Sequence, residues 1–222
     1  MTERAGIVAL GDSITYGEGG IVLGVDGRSW ALWLARTLDL PYTNYAAPGV
    51  QVAALVAEQL PRVRRDYDIG VLCIGVNDAR DPAFDAEAFA GGVAEAARGL
   101  AARCERVLVL TVPLDLGRPR AGTRVHAANR VIRDATRAVG GTAVALDDLA
   151  GARWMLPDAV HPTALGQLEI ADRAARALGS SVLPSALTPP ADGRAARAAF
   201  AVDWGRQWLR EALRRERERR CA

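Results

Sequence analysis

A parallel α/β sheet covered by helices on both faces is the fold class that the sequence predicts. Three observations carry it. Five short apolar runs are unbroken rather than alternating, as strands buried on both faces are. Segments with helical apolar spacing separate them. The Gly- and Asp-bearing turns fall just after the strands, at the carboxyl ends where such sheets bind ligands.

The elements follow in order. Gly6 to Leu10 reads as a buried strand, closed by Gly11-Asp12-Ser13. Residues 28–39 place Trp30, Leu34 and Leu38 on one helical face, with Ala31 and Ala35 beside them. Pro41 to Ala46 is a second strand, ended by Pro48-Gly49, and residues 51–60 are again helical. Ile69 to Ile74 is an apolar run of strand length, followed by Gly75-Val76-Asn77-Asp78. Residues 85–103 form an Ala-rich helix, and Arg106 to Val112 a fourth strand that Pro113 stops. Residues 124–138 are helical, Thr142 to Leu146 is the fifth strand, and residues 163–178 are the next helix. Periodicity alone does not give the strand order.

Composition then divides the chain. Residues 1–180 hold this α/β run, residues 181–193 are a Pro/Ser/Gly linker, and residues 194–222 read as an Arg-rich amphipathic helix. Phe200, Trp204 and Trp208 stand four apart, with Leu209 and Leu213 continuing the stripe. Glu211 can pair with Arg215 and Glu216 with Arg220 at i,i+4. Such a helix can pack on the domain, bind a second copy to make a homodimer, or lie on an anionic membrane.

The counts exclude whole chemistries. Of 222 residues half are apolar and 24% charged, enough for a sizeable core. All 28 basic residues are Arg, so a Schiff base, pyridoxal phosphate and a P-loop Lys are excluded. Two His, His126 and His161, and three scattered Cys, Cys73, Cys104 and Cys221, give no zinc spacing and no disulfide framework. No metal and no cofactor is expected. The net charge of +2 is uneven: residues 192–222 carry nine Arg against five acids, leaving the rest slightly negative. The basic character therefore belongs to the appended helix, and nucleic acid is not expected at the site. No signal h-region or transmembrane run is seen, so a soluble cytoplasmic protein is expected.

The candidate chemistry lies in the turns. Ser13, between a strand and a Gly-rich turn, can present its hydroxyl at the sheet edge, but it needs a base to become nucleophilic. His161, in a loop entering the last helix of the domain, is one of two candidates, and Asp158 three residues earlier can orient its ring. Gly49 can offer a backbone N–H at close approach and Asn77 a carboxamide donor for a developing oxyanion. Each motif alone also has a plainer meaning: a strand-end turn, an N-cap before a helix, a tight turn. Four of them in order at the strand ends are harder to explain that way.

Together Gly11-Asp12-Ser13 with Ile14-Thr15-Tyr16-Gly17, Asn44 to Gly49, Gly75-Val76-Asn77-Asp78 and Asp158-Ala159-Val160-His161-Pro162 resemble the SGNH hydrolases, the GDSL esterase/lipase family. The resemblance implies a flavodoxin-like, three-layer α/β/α sandwich with a five-stranded parallel sheet of order 2-1-3-4-5. It implies Ser13 as nucleophile, His161 as base and Asp158 as its orienting partner. It implies an oxyanion hole made of the Ser13 N–H, the Gly49 N–H and the Asn77 side chain. Ile14 stands where the eponymous motif has Leu, an exchange of apolar for apolar. The G-x-S-x-G elbow of the other large esterase fold is absent, because position 15 is Thr.

The expected substrate is a small-molecule carboxylic ester: a small acyl or acetyl ester of a sugar, a lipid or a biosynthetic intermediate. An acyltransferase or thioesterase with the same serine is the alternative, and a non-catalytic binding module the alternative of another class. Tyr16, Arg80, His126 and Trp154 are candidate substrate contacts. For Arg80 a solvated pairing with Asp78 or Asp81 is the plainer expectation, for His126 a surface position, and for Trp30 and Trp33 a place in the core.

Overall fold

The structure, a computed structural model, describes residues 4–17 and 20–221, the last without its side chain. Part of the Gly-rich turn after Ser13, residues 18 and 19, lies outside the described residues, as does the Cys221 thiol.

Five parallel strands form the sheet: β1 (Ile7–Gly11), β2 (Tyr42–Asn44), β3 (Tyr67–Cys73), β4 (Cys104–Leu110) and β5 (Thr142–Val144), in the order β2-β1-β3-β4-β5. Every strand expected from the sequence is present. β1 is an inner strand and wholly buried, paired through Ile7–Ile69 to β3 and through Ile7–Tyr42 to β2. That burial on both faces is why its sequence is apolar without alternation. The switch in strand order lies between β1 and β3, so their carboxyl ends open the crevice where such sheets bind ligands.

Two helical layers cover the sheet. α2 (Trp30–Thr37) and α7 (Ala164–Ala177) pack together on one face. α5 (Ala86–Ala101) and α6 (Arg124–Ala138) cover the other. Trp30 is fully buried and Trp33 nearly so, as core residues.

Three features depart from the periodicity. The segment expected as one helix over 51–60 is broken into α3 (Val52–Ala54), a π turn over Leu55–Gln59 and a 3₁₀ turn over Leu60–Arg62. The wider π turn holds both Leu55 and Gln59 in the interior. Two single-turn helices, α1 (Ser13–Tyr16) and α4 (Val76–Arg80), occupy what read as turns. Within the Pro/Ser/Gly stretch a further turn, α8 (Pro184–Leu187), is pinned where Ser185 donates its N–H and hydroxyl to Asp172.

The final helix, α9 (Arg194–Cys221), is present, and both Glu211–Arg215 and Glu216–Arg220 pair as expected. Its apolar stripe is not the one expected. Phe200 and Trp204 face the domain, but Trp208, Leu209 and Leu213 are each at least half exposed. Steps of four residues drift around a helix of 3.6 residues per turn. The inward face instead follows Phe200, Trp204, Gln207 and Glu211. No described helix is long and apolar enough to cross a membrane.

Candidate active site

Ser13 opens α1 directly after β1. Asp12 caps that turn, its carboxylate accepting the Ile14 N–H at 3.0 Å. The turn is held from every side. Gln59 accepts the Gly11 N–H and donates to the Gly11 carbonyl, both at 2.9 Å. Gln167 of α7 donates to the Ile14 carbonyl and accepts the Trp30 N–H. The Thr15 carbonyl accepts from Ser29 and Asn44, and the Thr15 hydroxyl from the Trp30 indole. At Gly11 a side chain would collide with the Cys73 carbonyl oxygen, so β1 and β3 approach there without one.

His161 reaches this turn from the far end of the domain. Its Nε2 lies 3.0 Å from Ser13 Oγ and its Nδ1 2.7 Å from Asp158 Oδ2. The other Asp158 oxygen accepts the backbone N–H groups of Val160 and His161, at 2.9 and 3.1 Å. The loop wraps so tightly because Ala159, between Asp158 and these two donors, has a left-handed φ of 55°. A Met155–Pro162 bridge closes its base. The Gly117 N–H donates to the Ala159 carbonyl, which ties the loop after β4 to it.

 The Ala159 carbonyl is thereby satisfied in spite of its strained position.

The electrostatics follow from these contacts. The Asp158 hydrogen bond raises the His161 pKa above its ordinary 6.5, against burial and the nearby Arg80 charge, which lower it. Burial works to raise the Asp158 pKa, but the hydrogen bond from His161 and those from two backbone N–H groups hold it below the usual carboxylate value. Asp12 is the opposite case: fully buried, with Oδ2 lacking a partner among the described residues, it is pushed up to about 7.

The expected donors stand in the segments that follow β2 and β3, the two neighbours of β1 in the sheet. Gly49 lies in the turn after β2 with a φ of 75°, a conformation that favours glycine. Space is not the reason, since a Cβ there would meet nothing within 4 Å. Asn77 of α4 donates from Nδ2 to the Val50 carbonyl at 2.9 Å, which fixes α4 against the Gly49 turn. A carboxamide has two N–H donors, so one remains for a ligand. Among the described residues neither the Ser13 nor the Gly49 N–H has a protein acceptor. Asp78 steadies the same corner by accepting the Val52 N–H at 3.0 Å.

The four candidate substrate contacts separate. Tyr16 is 47% exposed, one turn from Ser13. Arg80 is exposed and, among the described residues, makes no ion pair; the expected pairing with Asp78 or Asp81 does not form. Those carboxylates are engaged by Val52, Gln51 and Ala83 instead. His126 is exposed on α6. Trp154 packs against the core, with the Arg153 guanidinium over its ring at 4.9 Å. Sequence reasoning missed Gln59 and Gln167; their only signal was a polar side chain inside an otherwise apolar helical face.

Residues 9–168 match the GDSL-like Lipase/Acylhydrolase family, and the chain belongs to it. It is accordingly an ester-hydrolysing enzyme. Solved structures share the fold. Axe2, an acetylxylan esterase from Geobacillus stearothermophilus, is 18% identical with a TM-score of 0.62, over 80% of this chain and 97% of that one. TesA is 23% identical with a TM-score of 0.61, over 78% of this chain and 97% of that one. LAE5, an alpha/beta hydrolase enzyme from the metagenome of Lake Arreo, Spain, is 21% identical with a TM-score of 0.60, over 79% and 95%. A search of curated proteins finds no match.

Proposed function

We propose that the protein hydrolyses a small carboxylic ester through an acyl-enzyme on Ser13. His161 takes the Ser13 proton as the hydroxyl attacks the carbonyl carbon. The Ser13 and Gly49 N–H groups and the free N–H of Asn77 stabilise the tetrahedral oxyanion. His161 then protonates the leaving alcohol, and the same ring activates the water that releases the acid. Asp158 holds the imidazole in the tautomer with its proton on Nδ1 and stabilises the imidazolium. The observation that carries this reading is the continuous set of contacts from Ser13 Oγ through His161 to Asp158, at 3.0 and 2.7 Å.

Arg80, without an ion pair among the described residues and close enough to His161 to depress its pKa, is the group this reading offers to a carboxylate or phosphate on the substrate. The test is labelling by a fluorophosphonate probe together with hydrolysis of p-nitrophenyl esters, acetylated sugars and acetylated xylan. The wild type should be labelled and active, and Ser13→Ala neither. A folded Ser13→Ala protein with full activity would overturn the assignment.

A further inference from the structure

We propose that Trp204 of α9 is a positioning residue, bracing the loop that carries Asp158 and His161. The proposal rests on the esterase reading above and extends its machinery past residues 9–168, the family-matched region, to the C-terminal helix.

The loop is a short hairpin. At its base the Thr163 N–H donates to the Trp154 carbonyl at 2.9 Å, and Met155 bridges to Pro162. One residue further in, the Leu156 N–H donates to the His161 carbonyl at 2.8 Å. At the tip Ala159 holds a left-handed conformation that a side chain disfavours. The His161 and Asp158 side chains are 37% and 25% exposed, so burial alone does not fix them. The loop therefore depends on ties from outside, of which the Gly117 N–H on the Ala159 carbonyl is one.

The other tie comes from α9. The Trp204 indole donates to the Met155 carbonyl at 3.4 Å. That carbonyl and the Leu156 N–H belong to one peptide plane, which thus accepts from Trp204 at one end and donates to His161 at the other. Trp204 and Leu156 also form the partition between two cavities of about 460 and 490 Å³, since both residues line each. With open space on either side, Trp204 is where the helix bears on the loop. It does not bear on the carboxylate itself: Asp158 faces Gln207, Arg210, Glu211 and Arg214 across a gap of about 230 Å³. Just ahead of α9 the Ala191 N–H donates to the Leu23 carbonyl at 2.7 Å, which anchors the helix. A brace of this kind orients the base and touches no substrate, so it acts on turnover rather than on affinity.

The test measures kcat, KM and the pH midpoint of kcat/KM on p-nitrophenyl acetate. Trp204→Phe, which drops the indole N–H and keeps an aromatic ring, should lower kcat about threefold, and Trp204→Ala about tenfold, with KM within about twofold. The midpoint should fall in both, because the Asp158 contact that raises the His161 pKa is less fully formed. Asp12 and Arg80, the other charges acting on the ring, stand on other elements and are untouched by the substitution. Trp208→Ala, half exposed on the same helix, should change none of these quantities. The His161 titration is also read by NMR in a His126→Gln background, where His161 is the one remaining His and no turnover is needed. Wild-type kcat, or an unmoved midpoint, in Trp204→Phe would overturn the brace whatever becomes of Trp204→Ala. A loss confined to KM would overturn it too. A wild type that hydrolyses no ester would sink the esterase reading, and the NMR titration of Trp204→Phe would still decide the brace.

Discussion

The Asn77 side chain and the Val50 carbonyl are joined by a 2.9 Å hydrogen bond, which holds α4 against the turn that carries Gly49. In the proposed mechanism one residue thus both supplies a donor and positions the turn that supplies a second. Asn77→Ala should lower kcat by about 10²–10³, the usual loss for one oxyanion donor, with the protein still folded by circular dichroism. A kcat within twofold of wild type would remove Asn77 from the oxyanion hole.

The pH profile should carry the His161 signature. The ring must be neutral to act as base, so kcat/KM should rise as pH increases through its pKa. The Asp158 hydrogen bond raises that pKa, so the midpoint should lie above 6.5, and Asp158→Asn should move it down. Arg80 acts the other way: a cation nearby disfavours a second one, so Arg80→Ala should move the midpoint up. Steady-state kinetics between pH 5 and pH 9 would read all three directions; opposite shifts would show that another group controls the profile.

Asp12 should make stability fall as pH rises. Its folded pKa of about 7 exceeds the ordinary 3.8, so the folded state binds the proton more tightly than the unfolded chain. That contribution is full below the unfolded value and is lost as pH climbs through the folded one, with an upper bound of about 4 kcal/mol. Asp12→Asn keeps an acceptor for the Ile14 N–H but cannot titrate. Urea unfolding at pH 5 and pH 8 should show a smaller loss of stability at the higher pH in Asp12→Asn than in wild type. Equal losses would place the titration elsewhere.

Gln59→Leu should destabilise the domain strongly for its size. The substitution leaves the buried Gly11 N–H without its partner, while the Gly11 carbonyl keeps the Ala47 N–H at 3.2 Å. A buried donor orphaned in this way costs about 1–3 kcal/mol. Chemical unfolding would measure the loss, and a change below about 0.5 kcal/mol, the usual range for surface substitutions, would mean that another partner takes over.

The sheet was legible because burial on both faces leaves an unbroken apolar run, which Ile7–Leu10 and Val71–Ile74 display directly. The candidate site was legible as short blocks because the proposed chemistry needs fixed residue types next to one another, as in Asp158 and His161, which the structure brings into contact. What supports the site was not. Gln59 and Gln167 act on backbone groups 48 and 153 residues away, and nothing local marks them. The π turn over Leu55–Gln59 obeys tertiary packing rather than the local period. On α9 the stepwise reading followed Trp208 and Leu213 off the inward face, because aromatic content does not record the phase of a helix.

The Ser13–His161 contact spans 148 positions of chain. A ribosome therefore finishes the serine long before the histidine that the proposed mechanism pairs with it. Until the last loop of the domain is made and docked, the nascent protein carries an ordinary alcohol. On that mechanism reactivity arrives with the completed fold, and a truncated or unfolded copy is chemically quiet toward the esters around it.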